Sequence, residues 1–357
     1  MTTPLSEGDS LQMTCSTVKE IARISEGLVF FLIFLGIVIN ATVCGIMICN
    51  KCVLKNLSNF FVFHLSVVDL IFRSTTVGPL IYLSTVYTTE QAGIPCKLFH
   101  FFSAICGAAF FVTLVIISVD VYRDAASPLK GIMSRRTPFL ILLVVWLYAA
   151  ICSGPVMYSA QSVLYTEIPE VSSNVTQELR NCSVPKLCDY LRNWGGQLSS
   201  TLFFVMALLA PLIVIVTLFF ITYAYLHRDK SNGTISNETA GAKLKVARML
   251  GVLSLGVVLC WGPNVLISML RSYDVMNDAP SDVVLILTIA SEMTKFLNSI
   301  FNPFIFAYYI PNFKKDWFGL CSCYKCCRAE EVQQPLLRNE HLHMERSTEF
   351  GDSQTMM

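Results

Sequence analysis

The chain has 357 residues, 54% of them hydrophobic and only 14% charged, with a formal net charge of +1. So few charges cannot clothe a water-soluble domain of this length, which excludes ordinary soluble enzymes and binding modules and calls for a lipid environment. The near-neutral balance says little about partners, because a membrane sorts charged residues onto two separate faces.

A bilayer core about 30 Å thick takes roughly 20 apolar residues per helix. Seven runs near or above that length occur, over 27–50, 57–84, 97–121, 137–158, 198–226, 244–270 and 284–309. Their length predicts helices, since barrel strands would show about 10 residues alternating apolar and polar. The expected organisation is an all-α membrane protein. An extracellular N-terminus over 1–26 leads into a seven-helix bundle over 27–309, then an amphipathic helix and cysteine cluster over 310–328, then a disordered cytoplasmic tail over 329–357.

The N-terminal segment is polar and carries Cys15 but no recognisable cleavable leader, so the first helix is expected to act as an uncleaved signal-anchor. Basic residues recur on one side of the helix ladder: Lys51 and Lys55, then Arg123 to Arg136, Arg228 to Arg248, and Lys314 to Arg328. Fifteen Lys and Arg lie on that side against seven on the other, which makes it cytoplasmic and puts the N-terminus outside, in a plasma-membrane protein. The outer loops hold twelve acids against those seven bases, a weak pull toward cationic ligands that solvated loop surface explains better.

Polar residues and prolines inside lipid-spanning helices are costly unless they face a bundle interior. Taken in order, they are Asn40 in the first helix, Leu65-Ser-Val-Val-Asp69 with Arg73 in the second, Cys96 opening the third, and Trp146 in the fourth. The long loop that follows holds the N-glycosylation sequons Asn174-Val-Thr and Asn181-Cys-Ser, together with Cys182 and Cys188. Pro211 marks the fifth helix and Cys260-Trp-Gly-Pro263 the sixth; the seventh carries Glu292, Lys295, Asn298 and Asn302-Pro303. Beyond it, Phe313, Trp317, Phe318 and Leu320 form an apolar stripe ahead of Cys321, Cys323, Cys326 and Cys327, whose juxtamembrane position suits palmitoylation. Ser347, Thr348, Ser353 and Thr355 are available for phosphorylation in the tail.

This ordered set of one mark per helix resembles the rhodopsin-like G protein-coupled receptors. The resemblance covers residues 27–320 and implies an extracellular ligand, a heterotrimeric G protein or arrestin at the cytoplasmic face, membrane lipid around the bundle, and no cofactor. It also implies a disulfide from Cys96 to the long outer loop, with Cys188 preferred for its nearness to the fifth helix and Cys182 as the alternative. Cys15 would then pair with Cys182 or stay free. Nucleic acid is not an expected partner, and no triad or metal motif among the five histidines suggests an enzyme.

The resemblance also exposes departures. Counting from Cys96, the family's Asp-Arg-Tyr reads Asp120-Val121-Tyr122, so the arginine is missing. Phe219 and Phe306 replace two tyrosines that, in the family, support that arginine in the active state. Three changes on one network predict weakened coupling to G proteins. Asp69, with Asn298, Asn302 and Trp261, stands where the family binds a sodium ion. Here Phe110 replaces a common serine, and Arg73 lies one turn from Asp69 at i,i+4 spacing, which predicts an Asp69–Arg73 pair and little room for sodium.

The ligand pocket is expected between the outer halves of the helices, floored by Trp261. Ser103 takes the position of the aspartate that biogenic-amine receptors use, and Glu292 and Lys295 form an i,i+3 pair that either binds ligand or satisfies itself. The lysine that carries retinal in opsins would fall at 296, which is Phe296, so Lys295 is one residue out of register. The extra outer cysteines and the missing amine aspartate favour a peptide ligand over a lipid or other small molecule. A non-signalling receptor that captures ligand or regulates a partner receptor is the competing reading.

Overall fold

The computed structural model describes residues 15–49, 53, 57–85, 89–126, 137–164, 186–233, 236–277, 279 and 281–309. Seven long helices run through them: α1 Cys15–Cys49, α2 Leu57–Thr85, α3 Thr89–Ala126, α4 Thr137–Ser159, α5 Trp194–Ser231, α6 Asn237–Ser272 and α7 Ser281–Tyr309. Six, α1 to α6, are long and apolar enough to cross a membrane by length and composition; α7 carries Glu292 and Lys295 near its middle. Helices suit this setting because each satisfies its own backbone donors and acceptors where lipid offers none.

Several helices outrun their apolar spans: α1 begins at Cys15, α3 at Thr89 and α6 at Asn237. Hydropathy marks only the length that faces lipid, whereas local caps decide where a helix stops in water. Ser236 caps α6, its Oγ accepting from the Thr239 N–H at 3.2 Å. Asn193 caps α5, its Oδ1 accepting from the Gly196 N–H at 3.0 Å.

α3 is the central post, packed against α2, α4, α5 and α6, while α1 packs on α2 and α7. Its middle residues Ala108, Ala109, Phe110 and Leu114 are fully buried. Gly107 permits a close approach to α6, for a Cβ there would lie 2.7 Å from the Trp261 ring.

Within α5, a π turn over Phe204–Leu209 precedes Pro211. In an i→i+5 ladder the Met206 carbonyl would be served by the N–H of residue 211, which proline lacks. The Tyr148 hydroxyl of α4 donates to that carbonyl at 2.8 Å and fills the gap.

Outside the bundle, β1 (Ala160–Leu164) and β2 (Lys186–Tyr190) form an antiparallel pair with Ser162 opposite Cys188. The hairpin sits on α3. The sequons at Asn174 and Asn181, Cys182, the amphipathic segment 310–328 with Cys321, Cys323, Cys326 and Cys327, and the tail 329–357 lie outside the described residues.

Candidate functional site

At the outer end, Cys96 of α3 is joined to Cys188 of β2, with Cα atoms 5.4 Å apart. The bond holds the hairpin over the bundle mouth. Beneath it lies a cleft lined by His100, Ser103, Tyr190, Trp261, Asn264 and Ser268. Tyr190 packs its ring against His100 at 5.2 Å and forms part of the roof. Trp261 is buried, its ring 5.2 Å from that of Phe72.

Polar contacts hold the rim of this cleft together. Arg192, just after β2, donates to Asp274 at 2.9 Å and to Asn277 at 3.1 Å, beyond the outer end of α6. Ser200 and Ser272 share a hydrogen bond of 2.7 Å, and Thr201 and Tyr273 one of 2.9 Å, linking α5 to the end of α6. Asp274 has a positive φ of 58°, an uncommon conformation that the Arg192 contact helps to hold.

Glu292 and Lys295 stand behind Asn264 and Ser103 of the cleft lining and satisfy each other. The Lys295 ammonium is 2.6 Å from a Glu292 carboxylate oxygen, donates to Ser103 Oγ at 3.2 Å, and stands 5.3 Å from the centre of the Phe99 ring. The other Glu292 oxygen accepts from Asn264 Nδ2 at 2.6 Å. The acid's side chain is 27% exposed against 1% for Lys295, but its lysine-paired oxygen is buried.

Midway through the bundle, the predicted Asp69–Arg73 pair does not form. Asp69 instead accepts from Ser299 Oγ at 2.7 Å and from Asn302 Nδ2 at 3.2 Å, both on α7. Arg73 turns away, donating to the Leu32 carbonyl of α1 at 2.6 Å and to the Phe296 carbonyl of α7. Its guanidinium also stands 5.7 Å from the centre of the Phe296 ring. Two backbone carbonyls on two helices offer a buried fork more than one carboxylate already occupied by α7. Asn40 donates to the Ser299 carbonyl at 3.1 Å, which ties α1 to the same stretch of α7. Asn298 is buried with both side-chain polar atoms unpartnered.

The sodium site that the resemblance implies does not fit these residues well. Both Asp69 oxygens already receive hydrogen bonds, Phe110 contributes no oxygen, and a guanidinium is fixed one turn along α2. Among the described residues, the Asn298 and Asn40 amide oxygens there are without a donor.

At the cytoplasmic end, Asp120 pairs with Arg123 at 2.7 Å, one turn further on and half exposed. Val121 packs against the core, Tyr122 is half-buried, Phe306 is fully buried, and Phe219 faces Gly251 of α6. One cross-link joins α3 to α6 here: Lys243 lies 3.3 Å from the Asp124 carboxylate and donates to the Asp124 carbonyl at 2.7 Å.

Inspection of the sequence alone had missed Lys243, Asp124, Arg192, His100 and Asn264. Only the last two gave a signal, as polar residues inside apolar helices; the others act through contacts between distant segments.

The sequence pattern described as 7 transmembrane receptor (rhodopsin family) matches residues 39–306. The chain belongs to that family. It is a receptor and not an enzyme, a multi-pass protein of the plasma membrane. Among similar proteins, neuropeptide FF receptor 2 of Rattus norvegicus is 28% identical, the match covering 82% of this chain and 71% of that receptor. Galanin receptor 2b of Danio rerio is 26% identical over 85% of this chain and 76% of its own length. A GQ-coupled rhodopsin of Mizuhopecten yessoensis is 25% identical over 82% and 58% respectively.

Proposed function

We propose that this receptor senses an extracellular peptide in the outer cleft and couples only weakly to heterotrimeric G proteins. The observation that carries the peptide reading is the cleft itself, roofed by a disulfide-held hairpin and lined with hydroxyl, amide and imidazole groups rather than an amine-binding aspartate. An extended ligand can lie against such a roof and send one end down between the helices. The names of the neuropeptide FF and galanin receptors point the same way. The rhodopsin similarity does not bring retinal with it, because Lys295 is out of register for the opsin linkage and is held by Glu292 and Ser103.

The weak-coupling part rests on Val121, Phe219 and Phe306, which leave the inner bundle without the arginine and hydroxyls of the family's active state. A receptor that captures ligand, engages arrestin or regulates a partner receptor without turning over nucleotide is the second reading, favoured by the same three residues.

The charge bias of the loops supports an extracellular N-terminus, glycosylation at Asn174 and Asn181, and acylation at Cys321, Cys323, Cys326 and Cys327, which would anchor 310–328 to the inner leaflet. The test is a peptide panel applied to cells with verified surface expression, reading each major G protein family and arrestin separately. Peptide-driven arrestin recruitment or uptake with little G protein response is expected. No response to any peptide, with a response to a lipid or amine, would end the peptide reading.

A further inference from the structure

The Glu292–Lys295 pair decides what chemistry the deep end of the cleft can recognise, and this inference rests on the reading that the cleft binds ligand. Lys295 is 1% exposed, and its ammonium is taken up by Glu292, Ser103 and the Phe99 ring, so it has no direction left for a ligand anion. Glu292 is the more exposed of the two, but its charge is cancelled by an ammonium 2.6 Å away. A ligand cation arriving there would meet a carboxylate with little net field, and would have to compete for a buried ion pair whose disruption strands a charge.

The polar side chains lining the cleft are Ser103, Ser200, Ser268, the Asn264 amide, the Tyr190 hydroxyl and the His100 imidazole, none of them an acid or a fixed cation. Ser103 accepts from Lys295, leaving its own hydrogen to be donated elsewhere. We infer that the deep end of the outer cleft recognises an uncharged hydrogen-bonding group, an amide or hydroxyl, and that Lys295 sets this preference by neutralising Glu292 without touching the ligand. Lys295 is therefore a positioning and selectivity residue, while Asn264 and Ser103 supply the contacts. The excess of acids in the outer loops bears on the surface and does not extend to the bottom of the cleft.

Benzamide and benzamidinium share a shape and differ in charge, which makes them suitable probes. Binding of each to purified full-length receptor in lipid nanodiscs, measured by saturation-transfer NMR against empty discs, should favour benzamide by at least tenfold. Asn264→Leu should weaken benzamide several-fold, placing the probe in the cleft. Lys295→Met should reverse the order, because Glu292 then stands unneutralised. Should that variant fail to fold, the doubly neutral Glu292→Gln/Lys295→Met receptor should fold and keep the benzamide preference. Equal or tighter benzamidinium binding by the wild type, no binding of either probe, or an unchanged order in Lys295→Met would each overturn the inference, as would a benzamidinium preference in the double variant. A failed peptide panel with the probe order intact ends the peptide reading alone. Peptide activation with the probe order reversed ends this inference alone.

Discussion

The guanidinium of Arg73 occupies the space that a side chain at Gly36 would fill. The Leu32 carbonyl that accepts from Arg73 is also the i→i+4 partner of the Gly36 N–H, so the absence of a Cβ opens the route by which α2 reaches the backbone of α1. Through Phe296 the same side chain reaches α7, and one arginine therefore links three helices.

Gly36→Ala should consequently destabilise the receptor, because the new Cβ must displace a buried charge held on two sides. Overpacking alone costs about 1–3 kcal/mol. Arg73→Met should relieve the collision, so the pair of changes together should cost clearly less than the sum of each alone. Thermal unfolding of the four receptors in detergent measures this. Strict additivity would show that the two residues do not share the space.

Sodium should have little effect on the resting receptor. The reason differs from the one the i,i+4 spacing suggested, since Asp69 is satisfied by Ser299 and Asn302 rather than by Arg73. Melting temperatures in sodium and potassium chloride at equal ionic strength should agree closely. A large stabilisation specific to sodium would mean that Ser299 and Asn302 turn their donors away and that Asn298 joins Asp69 around the ion.

Tyr148→Phe should weaken the α4–α5 contact. Removing the hydroxyl leaves the Met206 carbonyl without its donor in a turn where Pro211 can offer none. An unsatisfied polar group costs about 1–3 kcal/mol, and lipid at this exposed edge supplies no replacement donor. The check is the melting temperature, with Pro211→Ala in the same background: by restoring an N–H, it should recover part of the loss. No difference between wild type and Tyr148→Phe would show that the carbonyl finds another partner.

Much of the architecture was readable from the sequence because lipid imposes strong rules. Seven apolar runs, one polar or proline mark in each, and basic loops on one side leave few alternatives to the bundle that α1 to α7 form. The Glu292–Lys295 contact was visible too, as i,i+3 neighbours on one helix. What stayed hidden depends on partners from elsewhere in the fold. Spacing along α2 proposes Asp69 for Arg73, since periodicity sees only the same helix, whereas the acceptors at Leu32 and Phe296 come from other helices. Lys243 and Asp124 likewise become neighbours only once α6 is laid against α3.

The cytoplasmic end gives the most consequential prediction. Asp120 is already paired with Arg123, and Val121 is packed against the core, so Val121→Arg adds a guanidinium with no free acid beside it. That substitution alone should do little. The supporting hydroxyls are still absent at Phe219 and Phe306, each hydrogen bond being worth about 0.5–1.5 kcal/mol net. Combining Val121→Arg with Phe219→Tyr and Phe306→Tyr should raise basal or peptide-driven G protein activation. The Lys243–Asp124 contact opposes this by holding α6 against α3. It is partly solvated, so its ion pair contributes about 0–1 kcal/mol, or up to roughly fivefold in the open population. Lys243→Ala should therefore leave the wild type nearly silent and raise the basal signal of the triple variant severalfold. Nucleotide exchange measured on receptor in nanodiscs with each G protein family separates these cases. Strong activation by the unmodified receptor would refute the scheme and assign the missing arginine's task to another inner-face cation, with Arg123 the first to replace by alanine.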